Sequence, residues 1–541
     1  MATGDYDRVA EQTEGATTEQ TASGLLSVVA VGITFLVLSP LLWLFLRAVE
    51  IEPARAVELV TSSTTVTVTA NTVVLVATVT ALSVVVGVPL AILTVQTDLP
   101  FRRFWTVTSA LPLVVPSYIG AFAFVSAFGP RGHLADLLAP LGIKQIPAMY
   151  GLPGATLVLT LFTYPYVFLT TRAALLSFDG TTVEAARSLN QTRWQAFRRV
   201  TLPQIAPGIA AGALLVALYT LSDFGTPAIM QYDVFTRMIY NEFGARRIDY
   251  AAVLSWLLLV MAVGILAVES RIEAGRDGAY ISRRSRRPGE IRLGRLKTPA
   301  LLFCALVATL GLALPVGILL HWLIRGGIGY SATGQSFELA FAWNSLSVAA
   351  GAAAVSVIVA LPLAYLAARS DSRLSSLPDR LSYVGYAVPG VVLGLALVYL
   401  SLRYLPFVYQ SVLLLVFAYV VRFMPQAVGT TKSSLLQIDP GYIEAARSLG
   451  YSPLAAFRKV VLPLVAPGIA AGAALVFLTT MKELPATLML RPPGFETFVT
   501  YIWQVQDAGY YGRAAIPALV LVVVSGLSMV VILRRERYNA G

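Results

Sequence analysis

The chain has 541 residues, 57% of them hydrophobic and 13% charged, with a formal net charge of +11. A soluble domain carries about 25% charged residues, so this composition excludes an ordinary water-soluble protein and points to a polytopic membrane protein. The single cysteine, Cys304, rules out an intramolecular disulfide, and the two histidines, His133 and His321, give no basis for a histidine metal site.

Residues 1–24 are polar and acidic, with Asp5, Asp7, Glu11, Glu14 and Glu19 and no basic leader. They read as a disordered cytoplasmic tail and not as a signal peptide. Apolar runs follow near 25–48, 71–95, 104–128, 153–171, 206–229 and 250–269. At 1.5 Å per residue, about 20 such residues cross the roughly 30 Å of bilayer hydrocarbon. The segment 271–297 is rich in Arg, Gly and Pro and reads as a cytoplasmic linker lying against anionic headgroups. Six more runs come near 298–324, 344–368, 382–402, 408–429, 464–490 and 514–533. With twelve crossings, most of the 40 Lys and Arg residues fall on one side, which places both termini in the cytoplasm. That bias explains the net charge without nucleic acid. Lys482 is the one basic residue this reading puts inside a span.

The two sets of runs are copies. Laying Glu184–Ala213 on Glu444–Ala473 gives 20 identities in 30 positions, at an offset of 260. Farther upstream Asn71, Pro89, Asp98 and Pro116 fall on Asn344, Pro362, Asp371 and Pro389 at an offset of 273. The first copy therefore carries 13 extra residues, assigned to the outer loop around 129–147. Six crossings per copy is an even number, so the copies enter the membrane in the same direction and their pseudo-symmetry axis lies along its normal. The expected fold is all-α, with about 12 transmembrane helices in two parallel six-helix repeats, 25–270 and 298–541.

The best-matched stretch lies between the fourth and fifth runs of each copy, in a cytoplasmic loop. From Glu184 to Val200 there is no Pro or Gly, and apolar and basic residues alternate at near-helical spacing. The spacing predicts a short helix, ended by Leu202-Pro203, with Ala206-Pro207-Gly208 opening the next span. A single Arg-rich inner loop is an ordinary topogenic signal. Two copies matched in residue order are more than topogenesis needs, and they suit a partner that is itself a two-fold dimer.

"EAARSLG" followed by Leu-Pro at 444–463 resembles the EAA signature of permease subunits of ABC importers, and 184–203 is its twin. The resemblance implies a type I ABC importer permease fold in the plasma membrane of a prokaryote. It implies docking of each loop on an ATP-binding subunit through Glu184, Ala185, Ala186, Arg187 and Asn190, and through Glu444, Ala445, Ala446, Arg447 and Gly450. Asn190 departs from the family's Gly; Asn tolerates a left-handed turn, although the two docking sites become unequal. The chain has no G-x-x-x-x-G-K-[ST] phosphate loop, so hydrolysis belongs to a separate subunit, an expected homodimer, and this chain has no catalytic residues and no cofactor. An extracytoplasmic solute-binding protein is the other implied partner.

A fused pair of halves carrying "SDFGTPAIMQYDVFTRMIYNEF" (222–243) and "MKELPATLML" (481–490) resembles the ferric-iron permease group. Thiamine, polyamine and phosphonate importers share parts of this plan and remain alternatives. Asp223 and Glu483, again 260 apart, each lie 16 residues after a Pro of the fifth run, about 24 Å along a helix. A carboxylate in a span costs about 2.5–3.5 kcal/mol, so such residues face water, a partner or a solute route. They are candidate outer-gate residues, with Lys482 able to pair locally; the plainer reading is that they satisfy backbone freed by helix breaks. Tyr232 and Asp233 are candidate contacts for the binding protein. Fe³⁺ prefers several hard oxygen ligands, and the spans offer too few for a tight internal metal site. A twelve-span secondary transporter is the rival class, but it has no use for two matched docking loops.

Overall fold

A computed structural model describes residues 4–128, 149–177, 181–274, 291–325, 337–369, 381, 384–508 and 510–538. Nine helices among them are long and apolar enough to cross a membrane. A bent pair, Arg102–Val114 with Ser117–Phe128, stands for a tenth crossing, and two shorter apolar helices, Gly390–Tyr404 and Gly512–Gly526, lie where the ninth and twelfth runs were expected. No strand occurs among the described residues beyond one isolated bridge, Thr97 with Ile291. The all-α polytopic class therefore holds.

Several expectations change in detail. The acidic segment 1–24 was read as disordered, yet a helix runs from Gly4 to Glu50. Ala, Glu and Gln favour helix, and extending an existing span needs no new nucleus. The run 104–128 is not straight: its two helices meet at 96°. Pro116 lacks an N–H and keeps Val115 extended (φ −78°, ψ 123°), so the ladder stops there. Pro389, its equivalent, likewise caps the helix Gly390–Tyr404 instead of lying within one. The runs 206–229 and 464–490 also break, after Ser222 and Met481.

Leu202-Pro203 does not end a helix as expected, and neither does Leu462-Pro463. Helix continues from Trp194 to Ser222 and from Pro453 to Met481. Each passes through one π turn, Phe197–Thr201 and Phe457–Val461, where Leu202 N–H donates to Phe197 O and Leu462 N–H to Phe457 O. Shifting the ladder by one residue accommodates a proline that can offer no N–H of its own.

Each of these helices packs tightly on the span before the loop. Gly208 and Gly212, and again Gly468 and Gly472, form G-x-x-x-G faces. A methyl at Gly212 would come 2.6 Å from Val167 Cα, and one at Gly472 would come 2.9 Å from Ala427 Cα. Small residues let backbones approach where lipid removes the hydrophobic drive between helices.

The chain forms two compact units. One comprises residues 1–46 and 342–495; the other comprises 47–341 and 496–541. In the first, Trp43 meets Tyr404 edge-on, ring centroids 4.9 Å apart. In the second, Trp322 donates Nε1–H to Ser126 Oγ at 2.6 Å, and the buried Cys304 joins Leu90, Tyr164, Phe168 and Ile205 in one core. The first spanning helix of each sequence repeat thus packs within the unit built mostly from the other repeat.

The described end of the linker is fastened in the second unit. Ile291 N–H donates to Gln96 O (2.8 Å), and Asp98 N–H returns to Ile291 O (3.1 Å). Asp98 Oδ1 accepts from Leu293 N–H (2.8 Å), and Oδ2 pairs with Lys297 Nζ at 2.9 Å. The Leu293 amide and the Lys297 ammonium together hold the Asp98 carboxyl below its ordinary value.

Candidate functional site

Two regions collect the singled-out residues. The first is the repeated loop. A short helix, Thr181–Ser188, is followed by a turn and then by Arg193–Ala196, which leads through the π turn into the span. The twin runs Pro440–Ser448, then Pro453–Ala456. Asp439 starts the second copy by accepting Gly441 N–H at 2.9 Å, and Ser452 caps its later turn.

Both turns close with one hydrogen-bond pattern. Asn190 N–H donates to Arg187 O (3.1 Å) and Gln191 N–H to Ala186 O (3.3 Å); Gly450 and Tyr451 do the same to Arg447 O (2.9 Å) and Ala446 O (3.2 Å). This is a Schellman closure, which needs a left-handed residue at its pivot. Asn190 has φ +65° and Gly450 φ +83°, so the Asn adopts the turn its copy makes with Gly.

Burial repeats as well. Ala186 and Ala446 face inward, 7% and 5% exposed. Glu184, Ala185, Arg187 and Asn190, and likewise Glu444, Ala445, Arg447 and Gly450, are exposed. Leu189 and Leu449, 78% and 79% exposed, stand bare just before each left-handed residue. A charged loop that also offers a leucine at this exposure has the character of a contact surface.

The second region lies at the far end of each fifth span, where the helix breaks. After Ser222, Asp223 is extended and a short helix, Gly225–Ile229, follows; a further helix is Phe235–Gly244. The copy has Pro485–Leu490 and Phe498–Asp507. Asp223 Oδ1 accepts from Ser117 Oγ (2.6 Å), which itself accepts from Tyr219 Oη (3.2 Å), and Asp223 Oδ2 caps Thr226 N–H (2.9 Å). Thr236 Oγ1 donates to Asp223 O at 2.8 Å.

Glu483 is held differently. Arg422 Nη1 lies 2.7 Å from its Oε1, with the two side chains 13% and 7% exposed. Ala486 N–H donates to the same oxygen at 3.2 Å, and Thr487 Oγ1 bonds Glu483 O. Glu483 thus pairs with a residue of another helix, Val412–Leu435. Lys482 itself is half-buried at the break, its N–H bonded to Thr479 O at 3.2 Å.

Arg422 was missed, although the apolar run 408–429 contains it. An arginine inside a span costs enough to mark a site on its own, and that signal was legible. The repeat explains why it had no twin to draw attention: at the offset of 260, Arg422 falls on Phe162. Ser117 correspondingly falls on Gly390, where an added Cβ would lie 3.0 Å from Pro485 Cγ and overlap the ion pair. Tyr232 and Asp233 sit in the loop before Phe235–Gly244. Asp233 pairs with Arg237 at 2.8 Å, and its carbonyl accepts from Asn71 Nδ2 at 2.9 Å.

Among the described residues no three His, Cys, Asp or Glu side chains converge as a metal site. The chain is matched over residues 83–271 and 360–537 by the family described as binding-protein-dependent transport system inner membrane component. A relative from Haemophilus influenzae, the Fe(3+)-transport system permease protein FbpB 2, is 32% identical over 79% of this chain and 81% of its own. The ferric transport system permease protein FbpB of Actinobacillus pleuropneumoniae is 24% identical over 82% and 67%. The thiamine transport system permease protein ThiP of Escherichia coli is 23% identical over 83% and 85%.

Proposed function

Since the chain belongs to the family of binding-protein-dependent transport system inner membrane components and is the permease subunit of an ABC importer, we propose that its cargo is ferric iron. We propose further that its two repeated loops are the struts on which an ATP-binding homodimer acts. The observation that carries the coupling role is the agreement of the two loops in helix, left-handed pivot, burial pattern and π turn. A stroke applied at Leu189 or Leu449 passes through a closed turn and then along helix that is continuous from Trp194 to Ser222 and from Pro453 to Met481. Glu184, Ala185, Arg187 and Asn190 with Glu444, Ala445, Arg447 and Gly450 form these docking surfaces, while the inward-facing Ala186 and Ala446 seat each loop; both loops lie in the cytoplasm with both termini.

Asp223 and Glu483, with Lys482, then border the outer end of the passage beneath a docked binding protein, which Tyr232 and Asp233 contact. The names of the relatives that are 32% and 24% identical support iron. The hydroxyl and carboxylate oxygens of Ser117, Tyr219 and Asp223 suit brief contact with a hard cation better than long retention. Selectivity then rests mainly with the binding protein.

The test is uptake by inside-in vesicles holding the permease with its ATPase and binding protein. ATP-dependent, vanadate-sensitive accumulation of radioactive Fe³⁺ is the expected result, and Asp223→Ala is expected to abolish it at normal expression. Accumulation of thiamine in place of iron would replace the cargo while leaving the transporter class. Uptake driven by an ion gradient without ATP would overturn the coupling role.

A further inference from the structure

We propose that Phe224, Tyr240 and Trp503 form an aromatic seal that closes the outer end of the passage beside Asp223, with the two sequence repeats contributing opposite sides. The proposal rests on the reading of Asp223 as an outer passage residue. All three rings belong to one compact unit. Phe224 is 2% exposed, and its centroid lies 4.8 Å from that of Tyr240 and 5.1 Å from that of Trp503, tilted by 54° and 41°.

The placement follows the repeat. Phe235–Gly244 and Phe498–Asp507 are copies of one helix, each after a broken fifth span, and Tyr240 and Trp503 occupy the same position in them. Phe224 therefore joins two equivalent rings, one from each repeat. Its own equivalent is Leu484, so a ring stands at the centre from one side only.

Ordinary core packing would bury both flanking rings, as it buries Phe235, Ile239, Phe498 and Tyr501 at 1%, 0%, 2% and 1% exposure on the same two helices. Tyr240 and Trp503 are only half-buried. They stand at the edge of the packed core, part of each ring remaining accessible. Next to Phe224 begins the polar chain Asp223–Ser117–Tyr219. Rings packed beside a polar chain exclude water and ions by dewetting, and tilted ring contacts can part without breaking a covalent or ionic tie.

A route to opening is present. Thr236 fastens the helix of Tyr240 to the Asp223 carbonyl, so that helix and the break move together. Asp233 and Tyr232 lie just ahead of it, on the loop proposed to meet the binding protein. Docking there pulls on the helix that carries one of the three rings.

The test uses a reporter thiol at Ser117→Cys in a Cys304→Ser background, in whole cells that also make the ATPase and binding protein. A membrane-impermeant methanethiosulfonate reads access from outside. Trp503→Ala and Tyr240→Ala are each expected to speed labelling about tenfold by removing one ring contact, and Trp503→Phe to restore the slow rate. Phe224→Leu, which copies Leu484, carries the same expectation as the alanine variants and serves where those do not reach the membrane. Labelling at the parent rate in these variants, at equal membrane levels, overturns the seal while leaving the permease reading intact. Labelling of the parent thiol only in inside-out vesicles would instead overturn the outer placement of Asp223.

Discussion

Glu483→Ala is the substitution whose cost follows most directly from the geometry. Arg422 lies about 15 Å along its helix from Val412, well inside an apolar segment, and it meets Glu483 at 2.7 Å and the face of the Phe423 ring at 5.4 Å. Removing the carboxylate leaves a guanidinium 13% exposed with its compensating charge gone. Breaking a buried pair in this way costs about 3–5 kcal/mol, because the remaining charge stays desolvated. Replacing both partners, Arg422→Leu with Glu483→Leu, removes the stranded charge and is expected to come within about 1 kcal/mol of the parent. Glu483→Gln keeps an acceptor near Ala486 N–H and should fall between, at about 1–3 kcal/mol. Reversible SDS unfolding in mixed micelles, arranged as a double-mutant cycle, measures these terms. A double variant as unstable as Glu483→Ala, or a Glu483→Ala as stable as the parent, would refute the argument that pairing is what makes Arg422 tolerable there.

Gly472→Val places two methyls against Ala427 and Thr430, so the fourth and fifth spans of the second repeat must separate; a loss of about 1–3 kcal/mol in the same unfolding assay is expected, and none would contradict the close approach. Gly450→Val forces a branched residue to φ near +83° at a local cost of about 1–2 kcal/mol, and should lower ATPase stimulation in the assembled transporter while Asn190→Gly leaves it unchanged. The Asp98 clamp is acid-sensitive. Its carboxyl is held below the ordinary 3.8, so its contribution is complete above that value and lost as pH falls through the lower one. Hydrogen exchange at Leu293 should quicken on acidification in the parent, and be fast and independent of pH-linked release in Asp98→Ala, once intrinsic exchange rates are divided out.

Most of the architecture was legible because lipid leaves the chain few options: apolar length and an internal offset suffice to count crossings and pair the repeats. Interruptions were harder to read. Pro116 and Pro389 lie in apolar runs that hydropathy treats as continuous, and only backbone geometry says that the helix stops there. The opposite error occurred at Leu202-Pro203, where proline reads as a stop and a π turn lets the helix pass. Asn190 was readable as a left-handed pivot because its aligned copy is Gly450. Arg422 and Phe224 were not found, since neither is repeated: comparing the copies draws attention to what they share and away from what one of them gained.

On the proposed function, that difference separates the loop end of the molecule from the far end. At the strut end the copies agree position by position in burial over 181–190 and 441–450 and in turn geometry, and they differ at the pivot only by a residue that adopts the same conformation. At the far end Ser117 stands against Gly390, Tyr219 against Thr479, Phe162 against Arg422 and Phe224 against Leu484. A symmetric motor constrains two docking surfaces to one shape, because each must fit an identical cleft. Residues that handle cargo are under no such constraint, so the two repeats are free to differ there. In this chain one side supplies a neutral hydrogen-bond chain ending on Asp223, and the other a compensated charge pair at Glu483. Exchanging them tests the idea directly. A first repeat given Arg422's counterpart through Phe162→Arg should lose uptake without losing ATPase docking, whereas a substitution at Leu189 should lose ATPase docking and, with it, uptake. If Phe162→Arg weakened docking as much as uptake, the two ends would not be separable and the division would fail.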